Sequence, residues 1–221
     1  MLKIWRNNQL SMWRPNIWDV LAFIIVIAVF VILAYGATEM ATPYKIGQQL
    51  PIHLDPKYLP YYALRSVLRL LIAMVFSLLF TFTVATLAAK NKHAERIIIP
   101  AIDILQSVPI LGFLSITVVI FIAVFPNSLL GPEFAAIFVI FTSQVWNIAL
   151  GFYQSLKTVP FELQEAANIF HLSSWQRFWR VEVPFAVPSL VWNMMLSMSA
   201  SWFFVVASEA ITVNKIGRAH V

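Results

Sequence analysis

Five stretches of the chain stay apolar for about the 20 residues that an α-helix needs to cross a bilayer. They cover residues 17–36, 64–89, 97–125, 134–156 and 185–208. A chain built this way has to satisfy its backbone polar groups inside each crossing segment, so the expected fold is an all-α polytopic membrane bundle. The composition agrees, with 60% apolar residues, 11% charged residues and a mean hydropathy of +0.79 over 221 residues. An average soluble domain carries about 25% charged residues, so an ordinary water-soluble enzyme is excluded. Disorder is excluded too, because 18 Phe and 8 Trp are too much aromatic surface for a solvated chain. There is no cysteine and no GxxxxGK[ST] pattern, which removes thiolate chemistry and a nucleotide-binding P-loop.

The first apolar run reads as a retained anchor rather than a cleaved signal peptide, because it is long and four more runs follow. Charge sets the orientation. Lys3, Arg6 and Arg14 precede the first run, Lys90, Lys92 and Arg96 separate the second from the third, and Lys157, Arg177 and Arg180 separate the fourth from the fifth. These are nine of the 15 basic residues, all on one side. Segments 1–16 and 157–184 are therefore expected in the cytoplasm and the loop 37–63 outside. That outer loop holds Pro43, Pro51, Pro56 and Pro60 and has no helical period, while Phe125 to Ser128 with Gly131-Pro132 reads as a tight outer turn. The net charge of +5 is then a record of membrane orientation. The lipid bilayer is the expected partner, and no nucleic acid is.

Inside the runs, small and polar residues recur at helical spacing. Ser143, Asn147 and Gly151 form one stripe with Gln144 beside it, Asn193, Ser197 and Ser201 form another, and Ala73, Ser77 and Thr81 a third. Such stripes hold spans together, or they line a hydrated path for a polar solute. Both readings stay open from the residues alone. The candidate path residues are Gln106, Ser107, Gln144, Asn147, Asn193 and Ser197. Pro109 predicts a break near Gln106–Ser107, and helix breaks at membrane depth are tolerated where they face protein or water. Asp103 lies two turns into the same run and needs pairing, hydration or a proton.

Segment 157–184 is amphipathic. Thr158 is placed to cap a helix with Pro160 in its first turn, and Ser173 with Gln176 has the spacing of a capping box for a second helix. The expectation is helix, turn, helix, ending at Pro184, with Ala166 and Ala167 exposed as a smooth knob. Trp175, Arg177, Trp179 and Arg180 also suit a helix lying in the lipid interface.

Glu165-Ala166-Ala167 followed at the family's spacing by Val181-Glu182-Val183-Pro184 resembles the EAA signature of permease subunits in ABC-type importers. The signature's glycine position holds His171, which suits a left-handed turn less well. Segments 103–112, 141–147, 153–160 and 202–210 resemble the nitrate, sulfonate and taurine branch, in particular the first half of its duplicated anion-transport permeases. The resemblance implies a type I importer bundle in a bacterial or archaeal cytoplasmic membrane. Glu165, Ala166, Ala167, His171 and Pro184 would form the contact with a cytoplasmic ATPase dimer. It further implies an extracytoplasmic solute-binding protein and a second permease unit, fused or a separate copy. This chain would bind no cofactor or metal and hold no catalytic residue, ATP being used by the partner ATPase. The alternative is an ion-coupled secondary carrier, for which Asp103 and the broken third run argue. An enzyme built on His93 or His171 lacks a partner residue at ligand spacing.

Residues 216–221 do not continue the family pattern, and one codon reading of them spells the start of a common sequencing adapter. The expectation is a native chain that runs on past Lys215 with at least one further span.

Overall fold

The computed structural model describes residues 17–40, 55–126 and 130–218. The predicted cytoplasmic segment 1–16, most of the outer loop and the last three residues lie outside these, as do Asn127 and Ser128 of the outer turn. The chain divides into two units, residues 1–39 and 40–221. The first contributes α1 (Ile17–Met40), a helix of 24 residues.

The described residues of the second unit form helices joined by short turns. A short 3-10 turn leads into α2 (Leu59–Phe80), which passes through a wide π turn at Thr81–Ala85 into α3 (Thr86–Lys90). Asn91 alone reverses the chain. Its backbone is extended, and its side-chain oxygen accepts from the N–H groups of His93 at 2.9 Å and Ala94 at 3.4 Å, capping α4 (Lys92–Ser107). The break predicted near Gln106–Ser107 falls at Val108–Pro109, both extended, before α5 (Ile110–Val124) begins. Proline has no N–H to give and restricts the residue before it to extended backbone, so helix ends at Ser107.

α6 (Leu130–Lys157) is the central helix, and Gly131 and Pro132 belong to its first turn rather than to a loop. Ile140, Val145, Ile148, Ala149 and Phe152 on it are fully buried. After α7 (Phe161–Ile169) and α8 (Ser174–Arg177), a second π turn at Phe178–Glu182 runs into α9 (Val183–Arg218). The predicted stop at Pro184 is therefore absent: the second loop helix continues into the last span. The π turn absorbs the missing Pro184 donor without ending the helix.

Among the described residues, three stretches are long and apolar enough to cross a membrane: Pro56–Lys90, Leu130–Lys157 and Ser174–Ala207. The predicted run 97–125 is split between α4 and α5, of 16 and 15 residues. The expected five crossings thus rest on α1 and this broken pair. The pair lies along α6 from end to end. Phe125 stacks on Phe134 at 5.3 Å, and Glu95 meets Tyr153 and Lys157 at the opposite end.

The polar stripes of the two long helices meet each other in antiparallel register. Ser143 Oγ lies 3.0 Å from Ser201 Oγ, and Asn147 Nδ2 donates to Ser197 Oγ at 3.1 Å and to the Asn193 carbonyl at 3.3 Å. One turn further on, Gly151 faces Asn193, and a Cβ there would collide with the Asn193 carboxamide. Each step of four on α6 is matched by a step of four on α9, so small and polar residues let the two backbones approach. The third stripe, Ala73, Ser77 and Thr81, is fully buried.

Candidate coupling loop and translocation residues

The loop between α6 and α9 is built from local signals. Thr158 is not its cap; the Thr158 hydroxyl donates back to the carbonyls of Gln154 at 3.0 Å and Ser155 at 3.2 Å, closing α6. Pro160 is extended and stands at the N-cap of α7 instead. The end of α7 is a Schellman motif: Leu172 N–H donates to the Ala167 carbonyl and His171 N–H to that of Asn168, both at 3.0 Å. The left-handed residue of that motif is His171, with φ 49°. The predicted capping box is present in both halves, Ser173 accepting from Gln176 N–H at 3.3 Å and Gln176 Oε1 accepting from Ser173 N–H at 3.0 Å.

Within the EAA triplet the three residues differ. Glu165 is exposed and Ala166 half-buried, but Ala167 is 2% exposed, so the knob expected of both alanines is made by one. The helix period turns Ala167 inward two positions after Glu165. The outward surface is instead apolar and large: Phe161, Ile169, Phe170 and Trp175 are each at least two-thirds exposed. An exposed group of this size on a capped loop has the character of a contact surface. His171 and Pro184 are exposed as well.

Polar contacts that span positions far apart in sequence tie the loop to the bundle. Lys90 Nζ, at the end of α3, lies 2.9 Å from Glu182 Oε2 and 5.0 Å above the Phe178 ring. Arg177 donates to Gln164 Oε1 at 3.1 Å, joining α8 to α7, and Gln164 Nε2 donates to the Val159 carbonyl at 3.0 Å. Phe82 in the first π turn packs on Trp179 in the second, with ring centroids 6.0 Å apart. At the start of α4, Glu95 accepts from the Tyr153 hydroxyl at 2.5 Å and from Lys157 Nζ at 2.9 Å. The tyrosine hydrogen bond is the main reason the Glu95 carboxyl sits below its ordinary range, with Lys157 second. At the other end of α6, Glu133 holds both Arg65 at 2.6 Å and Arg69 at 2.5 Å.

None of these clusters was anticipated from the sequence. Arg65 and Arg69, one turn apart at the mouth of an apolar run, with a lone acid at the start of another run, were a usable signal.

The candidate path residues fall into two groups. Gln106 and Ser107 are exposed on α4, where Gln106 Nε2 donates to Asp103 Oδ1 at 3.1 Å and Ser107 Oγ to the Ile104 carbonyl at 2.7 Å. Asn147, Asn193 and Ser197 join α6 to α9, with Asn147 still exposed. Gln144 is fully buried, and neither of its amide atoms has a hydrogen-bond partner.

The described residues thus form a helical bundle of apolar spans with a capped, surface-presenting loop. Residues 81–219 match the family described as binding-protein-dependent transport system inner membrane component, and the chain belongs to it. That family consists of inner-membrane permease subunits of ABC-type importers, transporters rather than enzymes. The chain is 24% identical to the nitrate import permease protein NrtB of Leptolyngbya laminosa, over 90% of this chain and 72% of the relative. It is 24% identical to NrtB of Synechocystis, over 93% and 76%. It is 23% identical to the bicarbonate transport system permease protein CmpB of Synechococcus elongatus, over 98% and 78%. Membership decides against the ion-coupled carrier.

Proposed function

We propose that this chain passes a small anion inward across the cytoplasmic membrane, with segment 157–184 in the cytoplasm and docked to a separate ATPase dimer. Two relatives named for nitrate import and one for bicarbonate transport support the anion. The excess of basic residues around the loop supports the orientation. A solute-binding protein delivers the anion on the outer side, and a second permease unit, fused or separate, completes the path. ATP is hydrolysed by the partner ATPase. Glu165, Ala166 and the surrounding exposed aromatics make the contact, His171 shapes the turn behind them, and Pro184 stands where the loop joins the last span. Closure of the ATPase dimer moves the loop, and the loop moves the spans between two states. On the path side, the polar face of α4 with Asp103, Gln106 and Ser107 faces water rather than lipid, where an exposed carboxylate would be costly. Asn147, Asn193, Ser197 and Gln144 line or support the same path.

The observation that carries this reading is the exposed apolar surface around Glu165, held on a loop tied to the ends of α3, α4 and α6. The test is Glu165→Trp and Phe170→Asp in the chain co-expressed with its ATPase and binding protein. ATP-dependent uptake is expected to fall about tenfold or more, with unchanged membrane level of the permease. Unchanged uptake and unchanged co-purification of the ATPase would defeat the assignment. Ala167 is a poor probe for this purpose, since a larger side chain there strains the loop's own packing.

A further inference from the structure

The same end of the molecule contains a cavity that docking does not use. It measures about 480 Å³ and opens between the end of α3, the end of α6 and the base of the loop, with Lys90, Lys157, Gln164, Ser174, Arg177 and Glu182 in its wall. Three cations from three elements thus line a cavity that holds the Glu182 carboxylate. The Glu182 side chain is 10% exposed, with Lys90 Nζ 2.9 Å from Oε2 and Arg177 Nε 3.2 Å from Oε1. Both are ion-pair contacts without hydrogen-bond geometry, since Arg177 Nε and Glu182 Oε2 have no hydrogen-bond partner. Lys157 shares its charge with Glu95 at 2.9 Å. Counting that second carboxylate, the cluster still carries an excess positive charge. Each ammonium has three N–H donors and the guanidinium five, far more than one carboxylate and one amide oxygen accept. A half-buried cluster with spare donors and a positive balance is completed by an oxyanion, which takes several charge-assisted hydrogen bonds at once.

We propose that this cavity binds a tetrahedral oxyanion of the phosphate type, either free in solution or carried on a lipid headgroup. The anion bridges Lys90, Lys157 and Arg177 and competes with Glu182 for them. Bound there, it ties the ends of α3 and α6 to the base of the loop and holds the loop in one position. That regulatory consequence rests on the coupling reading above, whereas the binding itself does not.

The purified full chain in uncharged detergent is titrated with inorganic phosphate against chloride at matched ionic strength, reading the thermal unfolding midpoint. Saturable stabilisation is expected. Lys90→Gln weakens the apparent affinity by about threefold or more, and Glu182→Gln tightens it by a similar factor because it removes the competitor. Damage to the fold does not produce tightening, so the pair of opposite shifts separates a site from a structural ion pair. The second arm places the same three proteins in phosphatidylglycerol or phosphatidylcholine nanodiscs without phosphate. Opposite shifts with inorganic phosphate assign the site to a free oxyanion. The same opposite shifts seen only with phosphatidylglycerol assign it to a lipid headgroup. Equal responses in all three proteins in both arms, or weakening by Glu182→Gln, would overturn the proposal. Because no ATPase is present, that failure leaves the coupling reading standing, and a failed Glu165 test leaves this one standing.

Discussion

At the scale of one residue, His171 is the clearest point where sequence and geometry meet. Its φ of 49° lies in the left-handed region, and the motif it closes asks for glycine. A side chain with a Cβ pays roughly 1–2 kcal/mol there, histidine somewhat less than most. His171→Gly is therefore expected to stabilise the protein by about 0.5–1 kcal/mol, the gain being trimmed by the greater freedom of glycine in the unfolded chain. His171→Val should destabilise it by about 1–2 kcal/mol, since a β-branched residue fits this region worst. Thermal unfolding in detergent checks both, and shifts of the same sign would show that the turn is not what sets the cost. This position was legible only through the resemblance to the EAA signature, which has glycine there. The Ser173–Gln176 capping box was legible from the residues themselves, because a helix start is written within a few neighbouring positions. Thr158 misled because a hydroxyl at a helix boundary serves either helix. Here it donates back to Gln154 and Ser155 rather than accepting from α7.

At the scale of elements, the three long apolar helices could be read from hydropathy, but what joins them could not. Glu95 finds Tyr153 and Lys157 only after α4 and α6 have packed, across 58 and 62 positions of sequence. No local pattern announces such a cluster. The stripes on α6 and α9 were visible as stripes, yet their mutual register depends on Gly151 admitting the Asn193 carboxamide. The Glu95 cluster gives a pH test. Its carboxyl is held below the ordinary value of 4.5, first by the Tyr153 hydrogen bond and then by Lys157. A depressed carboxyl contributes stability that is fully present above the unfolded value and is lost as pH falls through the folded one. The difference in unfolding midpoint between wild type and Glu95→Gln should be constant above pH 4.5 and close progressively below it. A gap that does not change on acidification would mean that Glu95 supports α4 by shape alone and that its charge is idle.

At the scale of the whole molecule, the architecture turns on α4 and α5, which either cross the membrane as a broken pair or dip in and return. Neither helix, at 16 and 15 residues, is long enough on its own. Their neighbours argue for crossing. Glu95 at the start of α4 touches Tyr153 and Lys157 at one end of α6, while Phe125 at the end of α5 stacks on Phe134 near the other. Along α6, Phe134 stands 19 and 23 positions from Tyr153 and Lys157, about 29–35 Å at 1.5 Å per residue, which matches the roughly 30 Å of a hydrocarbon core. If the broken pair returned instead, residues 92 and 126 would face the same side, and the loop 157–184 would move to the side of residue 57. The chain has no cysteine, which makes single-cysteine labelling clean. Lys57→Cys and Pro126→Cys are expected to react with an impermeant maleimide in intact cells, and Lys92→Cys and Ile169→Cys only after the membrane is opened. Labelling of positions 92 and 126 from one side would replace the crossing pair with a re-entrant one. An alternating pattern with the two sides exchanged would keep the spans but reverse the orientation. The ATPase could then no longer reach Glu165, however well the loop is shaped to receive it.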